Sequence, residues 1–195
     1  MDLDKSIDNS KPSSCDLSSL KQKNQFSLYD YIVSSNFFSD SDFNIIVKNL
    51  PRDIEYIKEG QFGFKRSKAI LRPNHCITNI VKNYLQKIET LVNVKVKQYG
   101  EVEIRRYDKG DFFEWHRDFD YINVQGKPIF FECVLTCYNT SDSKTEFMDE
   151  TTKEIMSVMT IPNQLILLCI QGVKHQVTPV TTGERIILKF KLRSL

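Results

Sequence analysis

Hydrophobic patterning changes twice along the chain. Residues 1–25, MDLDKSIDNSKPSSCDLSSLKQKNQ, are rich in Ser, Lys, Asp and Asn. They hold almost no aromatic or β-branched side chain whose burial could offset the entropy of ordering, so this stretch reads as a disordered polar tail. From Phe26 apolar residues return at helical spacing. In FFSDSDFNIIVKNLP, Ser39 and Asp40 are N-cap candidates ahead of Phe43, Ile45, Ile46 and Leu50, and Pro51 stops the run. A second helix is predicted over 74–91, where Ile77, Ile80, Val81, Tyr84, Leu85, Ile88 and Leu91 recur at three- and four-residue steps, with Asn74 as a cap candidate.

Beyond Leu91 the period falls to two and β-branched and aromatic residues become frequent. The segments VNVKVKQYGEVEIRRY, PIFFECVLTCYN, EIMSVMTI, NQLILLCI, HQVTPV and ERIILKFKL read as strands. YDKGD, VQGKP, NTSDSK, IPNQ, IQG and TTGE divide them as turns. The expected fold is mainly β with N-terminal helices (α+β): a sandwich or jelly-roll barrel with helices covering one outer face. One domain is expected over 26–195, with helical support at 26–91 and a β-barrel core at 92–195, since 195 residues suit one core better than two.

Composition narrows the function classes. Lys and Arg number 27 against 25 Asp and Glu, a net charge of +2, so neither a nucleic-acid partner nor an anionic membrane surface is expected. The longest apolar run, LILLCI at 165–170, is too short to span a bilayer, and the amino terminus has no apolar signal core. Five scattered cysteines, Cys15, Cys76, Cys133, Cys137 and Cys169, form no CxxC pair and suit reduced thiols in a cytoplasmic protein. None of these patterns speaks to oligomeric state.

Candidate chemistry centres on GDFFEWHRDFD at 110–120. In an extended segment His116 and Asp118 project to one side, Trp115 and Arg117 to the other. His175 begins a strand about sixty residues later. Two histidines and a carboxylate on a β scaffold match the set that occupies one face of an octahedral iron and leaves positions open. Ten residues past His175, across a Thr181-Thr182-Gly183 turn, Arg185 opens a strand apolar on one face through Ile186, Leu188 and Phe190. A guanidinium fork near such a metal suits the carboxylate of a cosubstrate. Each residue also has an ordinary reading, a surface His-x-Asp hydrogen bond or a satisfied strand histidine; the combination favours the metal site. His75, outside both segments, reads as a capping or surface residue. Trp115, Phe112, Phe113 and Phe119 read as barrel packing rather than a base-stacking platform, and the cysteines as small buried hydrophobes.

RRYDKGDFFEWHRD followed by VKHQVTPVTTGERIIL resembles the 2-oxoglutarate- and Fe(II)-dependent dioxygenases, in particular their prolyl 4-hydroxylase-like branch, over residues 95–193. The resemblance implies a double-stranded β-helix in which His116, Asp118 and His175 ligate Fe(II). It also implies that Arg185 pairs with the distal carboxylate of 2-oxoglutarate, and that Tyr107, in the RYxxG-like element, lies beside it. The CVLTCYN strand matches a family strand, and one of Thr136, Cys137 and Tyr138 is expected to touch the cosubstrate. The implied reaction consumes O2 and 2-oxoglutarate, releases succinate and CO2, and hydroxylates an unactivated C–H bond, with a prolyl residue of a peptide or protein as the expected substrate. Ascorbate is compatible with this chemistry as a reductant.

SKTEFMD keeps Thr145, Glu146 and Phe147 of the family's GGET.F-like element but lacks its glycines, which bears on substrate recognition rather than on the metal. The segment KEGQFGFKRSKAI at 58–70 reads as a solvated loop; the resemblance adds the role of a lid. The competing readings are a non-catalytic barrel that binds a partner, an oxygenase acting on another residue or a small molecule, and a cupin-like metal protein that needs no 2-oxoglutarate. A nucleobase-demethylating oxygenase fits less well, because the region after His175 lacks an RxNxTxR-like ending.

Overall fold

The computed structural model describes residues 31–118, 128–169 and 172–195. The expected polar tail, Phe119 and most of the VQGKP turn lie outside the described residues. Eleven strands follow in chain order: β1 (Tyr31–Ser34), β2 (Ile57–Gln61), β3 (Phe64–Leu71), β4 (Val96–Tyr107), β5 (Phe112–His116), β6 (Phe130–Asn139), β7 (Thr145–Met148), β8 (Ile155–Val158), β9 (Leu165–Cys169), β10 (Lys174–Val177) and β11 (Arg185–Ser194). Among the described residues three α-helices accompany them: α1 (Asp40–Lys48), α2 (Cys76–Asn83) and α3 (Leu85–Val92).

The strands pair in the order β1-β9-β6-β11-β4-β3-β5-β10-β7-β8, with β2 on β3, and each of these pairings is antiparallel. The two ends of this path meet. Tyr31 of β1 stacks on Phe147 of β7 with ring centroids 4.0 Å apart, and its hydroxyl donates to Met156 Sδ of β8 at 2.6 Å. The sheet is therefore curled on itself as a double-stranded β-helix, and edge strands that would otherwise template aggregation face each other.

Strand alternation sorts side chains between two cores. Leu135, Leu188 and Phe190 point outward and bury Ile46 of α1, Ile77 of α2 and Ile88 of α3. The inward-facing set splits into an apolar cluster around Phe147, Ile166 and Leu168 and another around Tyr107, Val177 and Ile187.

The helices follow their local chemistry. Ser39 caps α1, its hydroxyl accepting from the Asp42 amide at 3.2 Å, while Asp40 and Asp42 complement the helix dipole. The helix expected over 74–91 is two helices. Tyr84 leaves helical geometry at φ −98°, ψ 2°, its ring packs on Phe37 and Phe38, and its hydroxyl donates to Asp42 at 2.7 Å. Packing of that ring outweighs continuity of the helical period. His75, not Asn74, is the cap, with Nδ1 accepting from the Ile77 amide at 3.3 Å.

Two expectations about the first half are corrected. Residues 26–91 are not only helical support, because β1, β2 and β3 lie among them. KEGQFGFKRSKAI is not a loop but the β2–β3 hairpin, turning at Phe62-Gly63 with Gly63 at φ +89°. Its charged residues are cross-strand partners: Glu59 lies opposite Arg66 and bonds both Arg66, at 3.4 Å, and Lys68, at 2.7 Å. Among the described residues no helix is long and apolar enough to cross a membrane.

Candidate metal centre

Two adjacent strands bring the histidines together. His175 of β10 lies directly opposite His116 of β5, and their ring centroids are 4.3 Å apart. Between His175 and Val177 the register slips, so that one residue of β10, Gln176, faces two of β5, Glu114 and Trp115. This bulge re-aims side chains. It lets Phe113 stack on His116 with centroids 3.5 Å apart, while the Arg66 guanidinium covers Phe113 at 4.8 Å. Strict alternation of β5 did not anticipate this contact. Phe113 lines the cavity beside the histidines, whereas Trp115 is only half-buried.

Each imidazole is oriented through Nδ1. That of His116 donates to the Glu114 carbonyl at 2.6 Å and that of His175 to the Val173 carbonyl at 3.1 Å, which leaves both Nε2 lone pairs for a ligand. Asp118, two residues past β5, places Oδ1 3.7 Å from His116 Nε2 and Oδ2 3.6 Å from His175 Nε2. One ligand atom from each of the three residues lies within 4.8 Å of the others.

Electrostatics keep this set in its ligating form. Burial, and then the neighbouring His175, pushes the His116 pKa down to about 4, so its ring is neutral at physiological pH. Burial alone would raise the Asp118 carboxyl, but Lys189, His175 and His116 more than offset it and hold it well below the usual carboxylate range. The residues fit a divalent cation. Asp118 Oδ2 is buried without a hydrogen-bond partner among the described residues, and it faces His175 Nε2.

The cosubstrate candidates Tyr107 and Arg185 line the same cavity as the two histidines. Arg185 is fully buried at the start of β11 and lies directly across the β4–β11 ladder from Tyr107. Its Nη2 donates to Thr145 Oγ1 at 2.8 Å, while Nε and Nη1 have no partner among the described residues. Burial with no facing carboxylate pushes its pKa down to about 10, against a smaller opposing effect of Tyr107. The turn before it is tightly specified. Asp142 accepts from the Thr181 amide at 2.9 Å and from the Thr182 amide at 3.2 Å, and Gly183 adopts φ +70° where a Cβ would meet the Thr140 carbonyl oxygen at 2.3 Å.

Register discriminates among the three residues of β6 that the sequence left open. Cys137 packs in the helix-side core and Tyr138 is exposed. Thr136 shares the parity of Glu132 and Val134, which line the cavity, and its Oγ1 is buried with no partner among the described residues.

The sequence reading did not single out Lys189, Glu132 and Arg105. Lys189 has the parity of Arg185 on β11 and bonds both Glu132 and Asp118, while Arg105 bonds Glu103 at 2.9 Å. The available signal was period-two alternation in RIILK, which puts Arg185, Ile187 and Lys189 on one face.

No protein-family model matches the chain. A comparison with curated proteins likewise gives no match. Solved structures do match. A viral collagen prolyl hydroxylase from Paramecium Bursaria Chlorella virus-1, in complex with 2-oxoglutarate, aligns at a TM-score of 0.61 and 16% identity, over 85% of this chain and 96% of that one. A Trichoplax adhaerens prolyl hydroxylase, in complex with a peptide of the hypoxia inducible factor oxygen degradation domain, aligns at 0.59 and 13%, over 85% and 83%. HygX from Streptomyces hygroscopicus, with nickel, 2-oxoglutarate and hygromycin B bound, aligns at 0.62 and 11%, over 85% and 83%. At these identities the likeness establishes the shared fold, a double-stranded β-helix.

Proposed function

We propose that this chain is an Fe(II)- and 2-oxoglutarate-dependent dioxygenase that hydroxylates an unactivated C–H bond, with a prolyl residue of a peptide or protein as its substrate. The observation that carries the reading is the pairing of the His116, Asp118 and His175 ligand set with a buried arginine whose fork is only partly used. His116, Asp118 and His175 would hold iron, which supplies the oxygen-activating chemistry when bound. Overall, one O2 and one 2-oxoglutarate would be consumed, one oxygen atom entering the substrate C–H bond and the other the succinate carboxylate, with CO2 released.

The residues of the chain bind, orient and exclude water. The free Nε and Nη1 of Arg185 suit a carboxylate, and Thr145 holds the guanidinium from behind. Tyr107 and Val177, both buried, wall the same end of the cavity and keep it dry. The peptide assignment is supported by the fold shared with the two prolyl hydroxylases, one of them in complex with a peptide.

The test is anaerobic addition of Fe(II) and 2-oxoglutarate to apo-protein, followed in the visible region. A metal-to-ligand charge-transfer band in the wild type that vanishes in His175→Ala is expected, and hydroxylation of a peptide library then reads the substrate. No band in folded wild-type protein would refute the oxygenase reading and favour a binding module.

A further inference from the structure

Lys189 is a buried ammonium placed between two buried carboxylates. Its Nζ bonds Glu132 and lies 3.4 Å from Asp118 Oδ1, and its side chain is only 4% exposed. Such a group has no evident stability role, since replacing a buried ion pair by apolar residues of similar volume is often neutral or stabilising. Neighbouring inward positions on these strands accept apolar side chains, as at Ile187 and Val134.

We infer that Lys189, anchored by Glu132, is a positioning residue of the metal centre: it holds Asp118 Oδ1 and so leaves Oδ2 as the single oxygen offered to the ion. This rests on the proposed metal site. The asymmetry is visible in the two oxygens of one carboxylate. Oδ1 accepts from the ammonium and lies 3.7 Å from His116 Nε2, whereas Oδ2 faces His175 with no hydrogen-bond partner among the described residues. A carboxylate with a free second oxygen can turn or bind through both atoms, closing a position that the reaction needs.

Asp118 also needs more restraint than the histidines. Both rings are fixed by strand pairing and by Nδ1–carbonyl hydrogen bonds, whereas Asp118 stands two residues beyond the end of β5. An ammonium alone would repel a cation. Glu132 supplies the compensating charge, so the pair orients Asp118 with little net charge added.

The experiment titrates Co(II) anaerobically into the full chain, reading affinity and ligand-field bands, with circular dichroism as the check on folding. The variants are Lys189→Met/Glu132→Leu, which removes the pair without a net charge change, and Lys189→Gln/Glu132→Gln, which keeps its shape and a donor amide. His175→Ala serves as the control that destroys the site.

The double apolar variant is expected to bind Co(II) roughly 10- to 100-fold more weakly, with altered bands, the usual consequence of losing an outer-shell partner. The glutamine pair is expected to fall between it and wild type, and it carries the test if the apolar pair fails to fold. Equal affinity and unchanged bands in wild type and in the folded paired variants would overturn this inference alone. Absence of Co(II) binding by wild type, or binding retained by His175→Ala, would overturn the metal reading and this inference with it.

Discussion

Arg185→Met separates a ligand-binding arginine from a structural one, because the two roles give opposite signs in one experiment. A fully buried guanidinium that titrates near 10 instead of its usual 12.5 keeps its charge at neutral pH at a cost on the order of 3 kcal/mol. The sign follows from the direction. A base whose folded pKa is depressed costs stability throughout the range below that pKa, so removing it relieves the folded state at pH 7. Against this stands the loss of one hydrogen bond to Thr145, worth about 1 kcal/mol net. Methionine fills much of the vacated volume. The apo variant should therefore gain about 2 kcal/mol, or roughly 4–8 °C in melting temperature for a chain of this size.

Binding should move the other way. Truncating one partner of a buried charge pair costs about 2–5 kcal/mol, which is roughly 30- to several-thousand-fold in Kd. Calorimetric titration of 2-oxoglutarate into the Co(II)-loaded protein measures it directly. A variant that melts several degrees lower while binding 2-oxoglutarate as tightly as wild type would refute the reasoning. The guanidinium would then hold β11 to β7 through Thr145, and the cosubstrate would lie elsewhere.

Three further outcomes follow from single features. Gly183→Ala should destabilise the protein by more than about 1 kcal/mol, read as a shifted denaturant midpoint, since the new Cβ would meet the Thr140 carbonyl at 2.3 Å in a left-handed conformation. In native protein Cys76 should react with a thiol reagent, while Cys133 and Cys137 should wait for unfolding, because burial raises the Cys133 thiol well above its ordinary value and pushes Cys137 up to about 12. The hydrogen bonds from Thr181 and Thr182 hold the Asp142 carboxyl down to about 2, so the stabilisation of that turn should be present above about pH 4 and lost as pH falls through 2, seen as a carboxyl resonance titrating near 2.

Some of this molecule was legible in its sequence because the relevant signal is local. Period-two alternation located β4, β6, β8, β9, β10 and β11 but not the short β7, and the side-chain chemistry of Ser39 and Pro51 bounded α1. The triad and Arg185 could be named because a ligand set is a matter of residue type, and the structure brings His116, Asp118 and His175 together. Non-local events escaped. The β2–β3 hairpin looked like a solvated loop because Glu59, Arg66 and Lys68 satisfy one another across strands, a pairing invisible in a linear reading. The break at Tyr84 depends on a hydrogen bond to Asp42, forty-two residues away. The bulge in β5 is set by pairing with β10, so the stacking of Phe113 on His116 could not be read from spacing along one strand.

The inner face of the barrel shows why the charged residues missed by sequence reading matter to the site. At one end Arg185 is left short of partners among the described residues, so a ligand carboxylate would supply what the fold does not. At the other, Arg105 is bonded to Glu103, and Lys189 to Glu132, so this end is already compensated within the chain. Asp118 faces Lys189 and His116 through Oδ1 and His175 through Oδ2. A self-neutralised cluster has little to gain from an anionic ligand, whereas the isolated guanidinium has much. In the proposed site, charge balance would therefore direct a dicarboxylate toward Arg185.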